Sequence, residues 1–394
     1  MESIRNIYII GNGPSSSHTM GPAFAVNYIL NKYSKIKNID VTLYGSLAHT
    51  GKGHLTDYII DLKLKDIPHK IIFDKTKKQK HPNTIKFELQ IDDEIITKYV
   101  YSIGGGSIET DDEHIVHEEI YEHKNLSEIL QYCNKNSLSI YQYIIDREDE
   151  EFIDYINTVY FKMKEAIDRG ISKDGYLPGT LNVKRKAKSM YNKLALNYDL
   201  ENKTSLAVSI ASFAVCEENA SGGVVVTAPT CGSCGVIPGV ITYLEQKGVD
   251  QDVIIEALCV AGLIGQIIKT NASVSGAVCG CQAEIGAASS MAAAMIMHAF
   301  KYSNDKIAQA AEIALEHSLG LTCDPIKGYV QIPCIERNAI FALKAINASD
   351  IASIIDKETS LISFDEIVNT MYETGVDLRS GYKETSKKGM SKLK

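Results

Sequence analysis

The chain has 394 residues, 45% hydrophobic and 23% charged, with a net charge of −8. That balance fits a soluble globular protein of about two domains and excludes the basic face that a nucleic-acid partner needs; Lys77-Lys-Gln-Lys80 reads as a solvated loop. Nine cysteines follow an N-terminus with no apolar leader, which points to a reducing, cytoplasmic setting where disulfides do not form. Buried thiols, a nucleophile or metal ligands are the uses left open.

The first segment, Gly11-Asn-Gly-Pro-Ser-Ser-Ser-His-Thr-Met-Gly-Pro22, is dense in hydroxyls. Such a loop offers N–H and O–H donors to a carboxylate, with His18 available for proton transfer, and Pro14 and Pro22 argue against a loose linker. In Ile39–Tyr44 the alternation of Ile39, Val41 and Leu43 predicts a strand. Next comes Tyr44-Gly-Ser-Leu-Ala-His-Thr-Gly-Lys-Gly-His54, where Lys52 and His54 between glycines suit an anion and a proton, while His49 reads as structural. Thr84–Ile91 and Glu94–Val100 form a predicted hairpin turning at Asp92-Asp93. Gly104-Gly105-Gly106 suggests close backbone approach.

Past residue 124 the strand pattern ends. A boundary is expected at 110–125, with His114, His117 and His123 in a solvated connector. Asn125 and Glu128 read as a helix N-cap pair. Phe152–Ile167 has apolar residues at helical spacing, with a stop expected at Arg169-Gly170. The most apolar window, 285–300, is Ala-rich and interrupted by Ser289, Ser290 and His298, which predicts a buried helix rather than a membrane span.

Cys133, Cys216 and Cys259 sit in apolar helical patterns and read as core. Cys231-Gly-Ser-Cys234 lacks the second ligand pair of a zinc knuckle and the βαβ setting of a redox pair. Cys281, Cys323 and Cys334 each neighbour Gly or Pro, at turns or helix ends where free amides can stabilise sulfur charge. Three small buried residues and three cluster ligands both remain open on spacing alone. Three thiolates on a cubane would leave one iron able to act as a Lewis acid on a hydroxyl.

Taken together, these segments resemble the single-chain, iron–sulfur-dependent L-serine dehydratases. The resemblance runs through Gly13–Thr19, Thr50–His54, Tyr101–Gly106, Val226–Thr230, Asn271–Gly276, the Cys281 segment, Glu316–Pro325, Gln331–Asn338, Met371–Gly375 and Tyr382–Ser386. It implies an α+β fold: a mixed α/β domain over 1–120, similar to a serine-binding regulatory domain, followed by an all-helical catalytic domain over 125–394. It also implies a [4Fe–4S] cluster on Cys281, Cys323 and Cys334, with His18 and His54 as proton-transfer candidates. Ser15, Ser16, Ser17, Thr19, Lys52, Asn271 and Ser273 are then the expected substrate-binding residues. The reaction implied is loss of water from L-serine to give pyruvate and ammonia, by a homodimer with neither membrane nor nucleic-acid partners. The same elimination on L-threonine or L-cysteine, or a non-catalytic iron–sulfur sensor, are the alternatives. Three departures stand out. Several members end in a cysteine able to reach the open iron, whereas this sequence closes Met390-Ser-Lys-Leu-Lys394, so no terminal thiolate is expected to cap it. Val278-Cys279 replaces an acidic residue and a small apolar one, and Cys231 replaces an asparagine.

Overall fold

The computed structural model describes residues 1–111, 118–196, 202–356, 360–385 and 387–393. His114, His117 and Ser386 lie outside the described residues. His123 is placed, partly buried, with Nδ1 3.0 Å from the Tyr143 hydroxyl.

The chain is mixed α/β, with a sheet in its first third and helices beyond. After β1 (Ile10–Asn12) and a wide π-type turn at Ser16–Met20 come α1 (Gly21–Lys32), β2 (Ile36–Tyr44), α2 (Gly45–Thr50) and α3 (Thr56–Lys63). Then follow β3 (His69–Asp74), β4 (Thr84–Ile91), β5 (Glu94–Gly104) and β6 (Ser107–Thr110). The five-stranded sheet has the order β3-β2-β4-β5-β6, parallel at β2/β3 and antiparallel elsewhere. Register explains the predicted alternation: Ile39, Val41 and Leu43 pair with Leu89, Phe87 and Ile85. All six are buried, in a core shared with Val26 and Ile29 of α1 and Ile59 and Ile60 of α3. The hairpin turns at Asp92-Asp93 as expected, with Asp92 at φ +51°. The exposed basic run lies between β3 and β4.

The helical part comprises α4 (Leu126–Asn136), α5 (Ile140–Ile145), α6 (Phe152–Ser172), α7 (Ala187–Leu196), α8 (Lys203–Ala220), α9 (Val236–Gln246), α10 (Gln251–Asn271) and α11 (Gly276–Cys279). It ends with α12 (Ile285–Ala299), α13 (Asn304–Glu316), α14 (Cys334–Ile354) and α15 (Phe364–Asp377), with a short strand β7 (Val224–Val226) after α8. Asn125 caps α4 through the Glu128 N–H, and the Glu128 carboxylate answers at the Lys124 N–H, as the pair predicts. The Ala-rich α12 is buried along its length and packs against α9, α10, α13 and α14, because its small side chains let four helices approach. Among the described residues one helix, α10, is long and apolar enough to cross a membrane by length and composition, and 78% of its most apolar window is buried inside the protein.

One expectation fails. The helix α6 runs on through Gly170 to Ser172. A Cβ at Gly170 would lie 2.2 Å from the carbonyl oxygen of Ala214 in α8. The glycine is there for a close helix crossing, not a stop.

The two parts are stitched together. Met1, Ile4, Ile7 and Tyr8 are buried in the core of the helical part, and β1 pairs antiparallel with β7, Ile10 opposite Val226. The loop that follows β1 is therefore delivered to the boundary between sheet and helices.

Candidate active site

Backbone and hydroxyl contacts fix the loop Pro14–Thr19 on both sides. The Thr19 hydroxyl donates to the His54 carbonyl at 2.7 Å, and the Thr56 hydroxyl donates to the His18 carbonyl at 2.6 Å. From β5, the Ser102 hydroxyl donates to the Ser17 carbonyl at 2.8 Å. From the end of α8, the Asn219 amide donates to the Pro14 carbonyl at 3.2 Å. With its carbonyls held this way, the loop turns Ser15, Ser16 and Ser17 toward a cavity of about 650 Å³, a volume that includes space open to solvent.

His54 lines that cavity from the turn Gly51–His54, and its ring lies 4.6 Å from that of His18, centroid to centroid. The His54 Nδ1 lies 3.1 Å from the Thr50 carbonyl. A carbonyl only accepts, so Nδ1 carries the hydrogen and Nε2 is left as a lone-pair acceptor. His18 sits behind, both ring nitrogens engaged: Nδ1 to the Ser17 hydroxyl at 2.8 Å and Nε2 to the Ser46 hydroxyl at 3.0 Å. Burial lowers the His54 pKa to about 4, and lowers that of His18 well below its usual value with help from the neighbouring His54. Both rings are neutral at physiological pH.

The opposite wall comes from the helical part and the C-terminal stretch. Cys281 precedes α12, Cys323 lies in the turn after α13, and Cys334 opens α14. Burial raises the pKa of all three thiols, and for Cys323 and Cys334 neighbouring negative charge raises it further. The opposing influence on Cys281 is the Arg337 guanidinium, one turn into α14. Burial disfavours charge on Arg337, but the sulfurs of Cys281, Cys334 and Cys323 outweigh it and raise its pKa. Arg337 also donates to the Thr322 carbonyl at 3.1 Å, next to Cys323.

Among the described residues no three His, Cys, Asp or Glu side chains converge to hold a single ion. Three thiols on one cavity wall instead suit a larger group that meets each sulfur with a separate atom, as an iron–sulfur cluster does. The wall also has no side chain at Gly276, where a Cβ would lie 3.0 Å from Cys323 Sγ. The residues present therefore fit a cluster.

The other expected substrate contacts are placed as follows. Thr19 is buried as a brace of the loop. Lys52 lines a smaller adjoining pocket, its Nζ 5.5 Å from the centre of the Phe73 ring. The Asn271 amide donates to the Lys124 and Ile267 carbonyls at the end of α10, outside the cavity. The Ser273 hydroxyl accepts the Ser275 N–H at 3.0 Å, and it is Val274, Ser275 and Gly276 that face the cavity. Gly104 and Gly105, in the β5–β6 turn at φ +109° and +60°, line the mouth. Cys231 and Cys234 are buried in core packing and Cys279 packs against Gly375 of α15. Cys133, Cys216 and Cys259 are buried, as their patterns predict.

Sequence reasoning assigned no role to three charged residues of this cavity: Glu284, Arg337 and Glu384. Each stands within one to three residues of a cysteine or inside a segment already singled out. Glu284 lies 3.7 Å from Cys323 Sγ. Burial raises the Glu284 pKa, against the pull of Thr230, Cys323 and Arg337. Burial and the Glu284 charge push Glu384 up to about 8.

The fold and this site define a two-part enzyme with an oxygen-rich loop facing a thiol wall, and the comparisons give that class a family. The serine dehydratase alpha chain description matches residues 97–391, and the serine dehydratase beta chain description matches residues 3–67. The chain is similar to L-serine dehydratase of Haemophilus influenzae, 38% identical with 99% of each chain covered. It is similar to L-serine dehydratase 1 of Escherichia coli, at 37% with 99% of each covered. L-serine dehydratase of Helicobacter pylori is 38% identical, covering 99% of this chain and 98% of the relative. The chain belongs to the serine dehydratase family. The Haemophilus alignment spans 452 positions against 394 residues here, so that relative carries segments this chain lacks.

Proposed function

We propose that this chain is an L-serine dehydratase, an ammonia-lyase that removes water from L-serine to give pyruvate and ammonia, with a [4Fe–4S] cluster on Cys281, Cys323 and Cys334. The observation that carries the reading is that one cavity joins the three thiols to Ser15–Ser17 and His54. When bound, the cluster would supply a Lewis-acidic iron that assists departure of hydroxide, a poor leaving group.

The chain's own residues supply the rest. Ser15, Ser16 and Ser17 offer hydroxyl and amide donors to the substrate carboxylate. The neutral His54 presents Nε2 as the acceptor for the Cα proton, and His18 holds the loop geometry behind it through Ser17 and Ser46. Low basicity keeps the His54 ring free of a proton at working pH, so the base is ready before substrate arrives. Loss of the Cα proton and the β-hydroxyl leaves 2-aminoacrylate, which tautomerises and hydrolyses to pyruvate and ammonia.

The reading includes a cytoplasmic setting and a homodimer. Nine unpaired cysteines, eight of them buried, support the first. Ile340, Ile351 and Ile354, exposed along α14, offer an apolar surface for the second.

Protein purified without oxygen should release pyruvate from L-serine faster than keto acid from L-threonine or L-cysteine. Turnover of L-threonine in preference would move the substrate assignment, and no elimination from any of the three would overturn the lyase reading in favour of a sensor.

A further inference from the structure

Two carboxylates enter the cavity from distant parts of the chain, and neither braces the serine loop. Glu284 is already engaged: it reaches Cys323 Sγ and feels the Arg337 charge. Glu384 is different. Its backbone is held in place, the N–H donating to the Cys323 carbonyl at 2.6 Å, and its φ of +55° is one that side chains other than glycine and asparagine adopt uncommonly. Its carboxylate, by contrast, receives no hydrogen bond among the described residues. A fixed, unfavourable backbone that delivers an unpartnered carboxylate to a cavity is an arrangement the fold itself does not need.

Charge says what the carboxylate awaits. Arg337 is the one Lys or Arg among the described residues lining the cavity, so Glu284 and Glu384 together face a single guanidinium. Sulfur aside, the cavity holds two carboxyl groups for one base, and a cation placed beside them favours their ionised forms. An α-amino acid brings a carboxylate, for which Ser15–Ser17 provide donors, and an ammonium, which the two carboxyl groups complement.

On the reading that the substrate is an amino acid, we infer that Glu384, together with Glu284, binds the α-ammonium group and selects amino acids over hydroxy acids of the same skeleton. Anchoring ammonium and carboxylate at separate walls fixes two of the four substituents on Cα, which leaves one enantiomer able to turn its Cα–H toward His54.

The test uses two ligands that cannot eliminate: L-alanine, and propanoate, which lacks only the amino group. Their equilibrium dissociation constants are measured on protein purified without oxygen, for the unsubstituted chain, E384Q and E284Q. L-alanine binding should weaken about 10-fold or more in E384Q, the scale of one lost charged hydrogen bond, and measurably in E284Q, while propanoate binding stays within twofold. E384D, which keeps the charge but withdraws it by one methylene, makes the same comparison if E384Q does not fold. Equal weakening of both ligands, or no change in L-alanine binding, overturns the assignment while serine turnover by the unsubstituted chain still stands. Absence of that turnover overturns the proposed function itself, and this inference with it.

Discussion

The rings of His18 and His54 lie 4.6 Å apart on two loops of the sheet-bearing part, and of the two only His54 lines the cavity shared with the three thiols. One imidazole therefore faces substrate while the other is held by two serine hydroxyls behind it. Burial depresses the pKa of both, that of His54 to about 4.

That depression predicts a pH dependence with a definite sign. The unfolded chain takes up protons on these histidines near pH 6.5, whereas the folded chain resists until about pH 4 at His54. The stability they contribute is complete above pH 6.5 and is lost as pH falls toward 4. Denaturant unfolding should show a loss of about 3 kcal/mol across that interval from His54, reduced in His54→Asn. The acid limb of kcat/KM should fall below pH 5. An acid limb centred on pH 6.5 would mean the catalytic base is another group.

Gly170→Ala should destabilise the protein by about 1–3 kcal/mol, because its Cβ would meet the Ala214 carbonyl at 2.2 Å and push α6 from α8. Denaturant titration measures this. A variant as stable as the parent would show that the two helices separate without cost.

Glu218 is fully buried and pairs with Arg185 at 2.9 Å, Lys173 at 2.7 Å and Arg169 at 3.3 Å. Burial opposes its charge, yet Lys173 and Arg185 outweigh burial and lower its pKa. Glu218→Ala would leave the buried Arg185 guanidinium, whose Nη1 already lacks a partner, without a counter-ion, a loss of about 3–5 kcal/mol. The next residue, Asn219, holds the Pro14 carbonyl, so KM for L-serine should rise as well. Unchanged stability and KM would remove Glu218 as an anchor of the serine loop.

Much of the fold was legible because its signals are local. The period-two pattern of Ile39, Val41 and Leu43 and the cap pair Asn125/Glu128 each report on their own neighbourhood, and the structure places both where expected. Gly170 was misread because a glycine near a helix end and a glycine at a helix crossing look alike until Ala214 is in place. The same limit governs the site. Flanking glycines mark Lys52 and His54 alike, yet His54 turns into the cavity and Lys52 into the smaller pocket beside it. Glu384 lies in a segment singled out only through the resemblance, since its importance depends on a backbone bridge to Cys323 made by chain segments 61 residues apart. Nor does the composition shift near residue 120 reveal that Met1–Tyr8 pack among the helices.

The central claim is that the three thiols hold the group on which serine turnover depends. Its most direct test counts iron and acid-labile sulfide per chain, alongside pyruvate formation, for oxygen-free protein and for Cys281→Ala, Cys323→Ala and Cys334→Ala. About four irons per chain are expected for a [4Fe–4S] group, with turnover proportional to iron content and both lost in each variant. Full turnover by iron-free protein, or by any of the three variants, would contradict the account.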